Sequence, residues 1–213
     1  MIAIVDYGMG NLRSVQKAVE KVGYEAEITR SPQRIADARA VILPGVGAFK
    51  DCMDNLESFS LITPVLKAIA SGKPFLGICL GLQLLFSESL EFGHHPGLDV
   101  IKGVVKPFSQ TMSDPDRPGG LLKIPHMGWN SVQIQKPEPV LAEVKEGSYF
   151  YFVHSYYVEP EDSQTVAMLT DYGGEFVSAV AFDNIVATQF HPEKSQQQGL
   201  AILRAFAVRS ERG

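Results

Sequence analysis

Cys79 stands in Phe75-Leu76-Gly77-Ile78-Cys79-Leu80-Gly81-Leu82-Gln83, where an apolar strand-like run meets a helix-forming segment between two glycines. A strand-to-helix elbow of this kind presents its central side chain at the carboxyl end of the strand, and the glycines let the backbone turn without clash. The thiol then faces the first turn of the helix, whose unpaired N–H groups favour thiolate, and the N–H of Leu80 is placed to hold a developing oxyanion. The competing reading is a buried structural cysteine, since free cysteine is among the most buried residue types. The paired glycines and the change from strand to helix weigh toward a nucleophile. Cys52, in Lys50-Asp51-Cys52-Met53-Asp54, has no such glycines and reads as structural.

A nucleophile needs a base. Of the five histidines, His94, His95, His126, His154 and His191, only His191 comes with an orienting group. It ends a strand-like run, Ile185 to Phe190, and is followed by Pro192 and Glu193. Proline biases the residue before it toward extended backbone, where residues two apart point the same way, so Glu193 is expected beside His191. A carboxylate on one ring nitrogen fixes the tautomer and leaves the other to exchange a proton with sulfur.

Pro44-Gly45-Val46-Gly47 follows another strand-like run. It lacks both the GxGxxG fingerprint and a following GKS or GKT, which argues against a nucleotide site. The loop reads either as a plain tight turn or as the source of a second backbone N–H, from Val46 or Gly47, for an oxyanion beside Cys79. Ile124-Pro125-His126-Met127-Gly128-Trp129-Asn130 carries the only Trp among turn-forming and polar residues, as consistent with a core anchor as with a contact surface. His94-His95-Pro96 reads as an exposed loop, a histidine pair without further ligands being poor grounds for a metal.

These residues require elements to position them. Ile2 to Val5, Glu25 to Thr29, Ala40 to Leu43 and the run before Cys79 read as strands alternating with helices, among them the one marked by Leu12, Val15, Val19 and Val22. That alternation predicts an α/β fold with a doubly wound, mainly parallel sheet, and ligands in such sheets bind at the carboxyl ends of the strands. Gly8, Gly45 to Gly47 and Cys79 all fall at such ends. The second half reads as an additional antiparallel region: Val100 to Phe108, Ser131 to Ile134, Tyr149 to Val153, and a hairpin of Phe176 to Phe182 with Ile185 to Phe190 about Asp183-Asn184. Ser109 to Gly120 is expected as a mobile loop, and Ser195 with Gln198 as a capping box for a last helix from about Gln196 to Val208. One domain over 1–213 accounts for the chain.

A net charge of -5 gives no reason to expect nucleic acid or an anionic membrane as partner. The chain opens directly on a strand, without a signal peptide or an apolar run of membrane-spanning length, so a cytoplasmic location is expected. Two cysteines are too few for a disulfide scaffold or a four-cysteine zinc site.

Five segments together resemble the class I, triad-type glutamine amidotransferases, which share a flavodoxin-like sheet: DYGMGNLRSV from Asp6, PGVGAF from Pro44, GICLGLQLLF from Gly77, PHMGWN from Pro125 and FHPEKS from Phe190. DYGMGNL and PHMGWN narrow the likeness to the glutaminase subunits of imidazole glycerol phosphate synthase, from histidine biosynthesis. Leu82 stands where such proteins often have Met. The resemblance implies that Cys79, His191 and Glu193 form a catalytic triad acting on L-glutamine. It also implies that Gln83 and the backbone at Gly47 help hold the substrate, and that Asn11, Trp129 and Asn130 lie toward a partner, a (β/α)8 cyclase subunit that uses the released ammonia. Neither a metal nor an organic cofactor is called for by this chemistry. A cysteine peptidase or redox-stress protein would share the elbow without calling for HPE and PHMGWN, and a catalytically silent subunit usually lacks a triad member.

Overall fold

A computed structural model describes residues 1–114 and 117–211 of the chain. The loop expected over Ser109 to Gly120 contains residues 115 and 116, which lie outside the described residues, as do the last two positions of the domain expected over 1–213.

The first half alternates as expected: β1 (Ile2–Val5), α1 (Leu12–Lys21), β2 (Ala26–Thr29), α2 (Pro32–Asp37), β3 (Ala40–Gly45), α3 (Phe49–Ser58), α4 (Ile62–Ala70), β4 (Phe75–Cys79) and α5 (Leu80–Gln83). The strands lie in the order β2-β1-β3-β4 followed by Ile185–Thr188, and every neighbouring pair among these five is parallel. The strands inside this order are buried and mainly apolar because both faces are covered, whereas the edge strand β2 carries Glu27; alternate side chains supply two cores. Ile2 and Ile4 of β1 pack with Val15 and Val19 of α1 and with Leu203 and Phe206 of the last helix, α6 (Gln196–Arg209). Ala3 and Val5 pack on the other side with Ile35 of α2, Leu56 of α3 and Val65 of α4. This split is the doubly wound arrangement, and it brings the ends of β1, β3 and β4 to one rim.

Beyond Ile185–Thr188 the sheet turns mainly antiparallel through Glu175–Phe182, Tyr156–Pro160 and Ile101–Pro107, then reaches Phe86–Ser89 and His95–Pro96. The hairpin about Asp183-Asn184 forms as expected, with Phe182 paired to Ile185 and Asp183 at a φ of 50°. A separate two-stranded ladder joins His126–Ser131 to Tyr149–His154. Two local expectations are corrected. The Trp129-Asn130 segment is strand rather than turn, because each of its residues finds a ladder partner on Tyr149–His154. Ser195 precedes α6 but makes no side-chain cap bond; its hydroxyl is committed elsewhere, donating to the His191 carbonyl at 2.6 Å and accepting from the Tyr151 N–H at 3.0 Å. No described helix is long and apolar enough to cross a membrane.

Candidate active site

At the end of β4 the chain turns directly into α5, and Cys79 takes the turn with φ 55° and ψ -110°. For a residue with a side chain that conformation is strained by on the order of 1–3 kcal/mol, a cost that recurs where a side chain must be presented to a site. Gly81 makes the turn possible, since a Cβ there would fall 1.8 Å from the Leu43 carbonyl oxygen of the adjacent strand. The helix is one turn only. What it offers the sulfur is therefore its first N–H groups, not a long macrodipole.

His191 reaches the same place from the end of the neighbouring strand. Its Nδ1 lies 2.8 Å from Glu193 Oε1, and both side chains are almost wholly buried. The expected contact is present but its geometry differs: Pro192–Lys194 is a turn of 3-10 helix after an extended His191, so the carboxylate is brought round by the turn and not by an extended chain. The His191 backbone is pinned at both ends, N–H to the Tyr151 carbonyl at 3.0 Å and carbonyl to the Ser195 hydroxyl. With Nδ1 engaged, Nε2 has no hydrogen bond of good geometry and is left to interact with the Cys79 sulfur. Burial works to lower the His191 pKa and is the largest single influence. The Cys79 sulfur and then the Glu193 carboxylate together outweigh it and raise the pKa to about 10. At neutral pH the ring therefore holds its proton.

Cys79 is 6% exposed and opens onto a pocket of about 290 Å³ whose walls include Val46, Gly47, Leu80, Gln83, His191 and Glu91. The expected oxyanion and substrate residues are thus assembled around the thiol. Gln83 contributes with its Nε2 already committed, donating to the Tyr156 carbonyl at 3.1 Å and to Gln189 Oε1 at 3.0 Å. Two residues to which the sequence reading gave no role also stand here. Gln189 Nε2 lies 3.8 Å from Cys79 Sγ and can donate to a thiolate. Glu91 accepts the Phe49 N–H at the start of α3 and presents a carboxylate to the pocket. Neither had a local signal: Gln189 is 110 residues from the cysteine, and Glu91 falls outside the five motif segments of the sequence.

His126 and His154 are buried too, but their nitrogens are spent. His154 Nδ1 lies 2.8 Å from the Tyr156 carbonyl and Nε2 lies 2.9 Å from His126 Nδ1. A larger open groove of about 570 Å³ lies at the far edge of the sheet by Glu88, His94 and His95, where His94 meets Glu88 at 3.3 Å but is 79% exposed. Its one serine, Ser87, has its hydroxyl committed to Asp99 at 2.6 Å and no cysteine lines it, so its size is a poor guide, and we place the chemistry in the smaller pocket.

Of the residues expected to face a partner, Asn11 is exposed at the start of α1 and Trp129 is 47% exposed. Asn130 is turned inward. Its amide donates to the Asp171 carbonyl at 2.8 Å and its Oδ1 accepts the Ser131 N–H at 2.8 Å. Met127 and Tyr149, 63% and 60% exposed, lie on the same two-stranded ladder as Trp129.

The family model described as "Glutamine amidotransferase class-I" matches residues 3–210. The chain is 58% identical over 206 residues to the imidazole glycerol phosphate synthase subunit HisH of Syntrophotalea carbinolica, covering 97% of this chain and 98% of that one. It is 50% identical over 212 residues to the subunit HisH of Aquifex aeolicus, covering 98% and 97%. Among solved structures it superimposes on a glutamine amidotransferase crystal structure with a TM-score of 0.73 at 17% identity, covering 99% of this chain and 100% of that one. The structure of PurLQS from Thermotoga maritima gives 0.71 at 18% identity, covering 96% of each chain. The structural likenesses speak for the fold, and the sequence likenesses for the closer family.

Proposed function

This chain belongs to the class I glutamine amidotransferases, among the HisH subunits of imidazole glycerol phosphate synthase, and from that premise we propose how its residues perform the reaction. It hydrolyses L-glutamine and delivers the ammonia to the cyclase subunit of the synthase, in histidine biosynthesis. The observation that carries the residue-level reading is the buried 2.8 Å His191–Glu193 pair whose free ring nitrogen serves the strained Cys79 elbow.

Cys79 attacks the carboxamide carbon of glutamine as the thiolate. The oxygen becomes an oxyanion held by the Leu80 N–H and by the Val46 or Gly47 N–H of the facing loop. The His191 imidazolium gives its proton to the departing ammonia, leaving a thioester and a neutral ring. The same nitrogen then takes a proton from water as the water attacks the thioester. A second oxyanion forms and collapses, glutamate leaves, and the thiolate–imidazolium pair is restored. Glu193 keeps Nδ1 protonated throughout, which fixes Nε2 as the nitrogen that works. Glu91 carries charge opposite to the α-ammonium group of glutamine, and Gln83 closes the same wall. The exposed Met127, Trp129 and Tyr149 ladder, with Asn11, forms the side offered to the (β/α)8 cyclase in a heterodimer. We further propose that the chain acts as one domain in the cytoplasm.

The test is Cys79→Ala assayed in the assembled synthase. Synthesis driven by glutamine should vanish while synthesis from added ammonium salt continues. Glutamine turnover near the parental rate would show that another group is the nucleophile.

A further inference from the structure

Beneath the Pro44-Gly45-Val46-Gly47 loop two buried side chains meet that take no part in the chemistry above. Tyr7, just beyond β1, is fully buried, and its hydroxyl donates to the Pro44 carbonyl at 2.8 Å. Cys52, in the first turns of α3, is also fully buried, with its sulfur 3.6 Å from the Val46 carbonyl. The Tyr7 oxygen and the Cys52 sulfur are 3.7 Å apart. Burial pushes the Cys52 thiol up to about 12, so it keeps the proton it donates to Val46. The loop is pressed onto this pair: a Cβ at Gly45 would come 2.6 Å from the Tyr7 oxygen and 2.9 Å from Leu80 Cβ.

Three peptide planes link Pro44 to Gly47. The first carries the Pro44 carbonyl and the third carries the Val46 carbonyl, and each is held by a side chain. The second carries the Gly45 carbonyl and the Val46 N–H. Backbone pairing alone holds it, Gly45 facing Cys79 at the end of the β3–β4 ladder; among the described residues no side chain bonds to it. A plane whose two neighbours are fixed can still turn about the line joining its own Cα atoms once that pairing is given up, and glycine at its start leaves the rotation sterically open. We infer that Tyr7 and Cys52 are positioning residues for oxyanion stabilisation: together they hold the planes on either side of the Gly45–Val46 peptide and confine movement to the one plane whose N–H serves the oxyanion. Cys52 therefore acts beyond packing, although it never touches substrate. This rests on the assignment of Cys79 as nucleophile and of Val46 as donor.

The experiment compares Tyr7→Phe, Cys52→Ala and Cys52→Ser in the assembled synthase. Three quantities are read: kcat and KM for glutamine, and the rate at which iodoacetamide alkylates Cys79, followed by mass spectrometry. Alkylation of a thiolate builds no oxyanion, so it reports the nucleophile without the loop. Losing part of one oxyanion donor should lower kcat about tenfold in Tyr7→Phe and in Cys52→Ala, with KM and the alkylation rate within about twofold of the parent. Cys52→Ser retains a donor and should recover most of what Cys52→Ala loses. Any other pattern overturns the inference, in particular a parental kcat in Tyr7→Phe or a fall in alkylation parallel to kcat. The premise fails separately, and visibly, if Cys79→Ala still turns over glutamine.

Discussion

His191 and the His126–His154 pair stand within one region and are buried to nearly the same degree, at 1%, 3% and 7% exposure, yet their charge states are opposed. Burial alone drives an imidazole toward its neutral form. That outcome is seen in the pair, where it lowers His126 to about 4 and His154 to about 3. Around His191 burial pulls the same way and loses to the Cys79 sulfur and the Glu193 carboxylate, so the pKa rises. Both His154 and His191 line the Cys79 pocket. Lining the pocket is therefore not enough to make a base. The difference lies in what the ring nitrogens meet: the Cys79 sulfur and the Glu193 carboxylate for His191, a second imidazole and a carbonyl for His154.

The harshest way to break this comparison is His191→Ala. Removing the only one of these rings that retains a working nitrogen should cost on the order of a thousandfold or more in glutamine-dependent turnover. A rate near the parent's would move the base elsewhere. Glu193→Gln leaves the base and removes its anionic partner, so activity should fall by less and remain on the order of a hundredfold above His191→Ala. The same substitution sharpens the electrostatic argument. The His191 pKa, followed by ring-proton NMR in the isolated chain, should drop in Glu193→Gln and again in Cys79→Ala, while His126 and His154 stay neutral near pH 7. A His191 pKa indifferent to both changes would mean that neither group sets its charge.

How far the sequence carried this comparison depended on distance along the chain. The elbow was legible because strand end, glycines and nucleophile are contiguous from Gly77 to Gly81. His191 and Glu193 were legible as partners because they are two residues apart, although the 3-10 turn that joins them was not. Proline at the first position of that turn is as compatible with a helical start as with extended chain. Tyr156–Pro160 and Val166–Asp171 were not anticipated as strands, and what holds them is pairing with Ile101–Pro107 and Glu175–Phe182 across the sheet. The histidine pair was invisible for the same reason. His126 and His154 face each other in an antiparallel register 28 residues deep, and nothing local to either announces it. Ser195 looked like a cap because the capping pattern is local, whereas the groups that claim its hydroxyl, Tyr151 and His191, come from elsewhere.

The smallest effect is on stability, and it tests both sites at once. His191 has a folded pKa above its ordinary value, so its contribution is fully present below pH 6.5 and lost as pH rises toward about 10. His126 and His154 have folded values below the ordinary one, so theirs is present above pH 6.5 and lost as pH falls toward about 4 and 3. Between pH 4 and 6.5 the unfolded chain binds protons that the buried pair refuses, which makes stability rise with pH by roughly 3 kcal/mol for each ring. Urea unfolding of the isolated chain at fixed pH steps should therefore show two limbs with separate owners. His126→Asn/His154→Gln should flatten the acid limb and leave the alkaline one. Glu193→Gln should make the alkaline limb shallower and leave the acid one. The slopes decide, since either variant is free to lower stability uniformly through lost packing. If one substitution flattened both limbs, the two histidine sites would have to be a single coupled network, and the contrast between base and strut would fall with them.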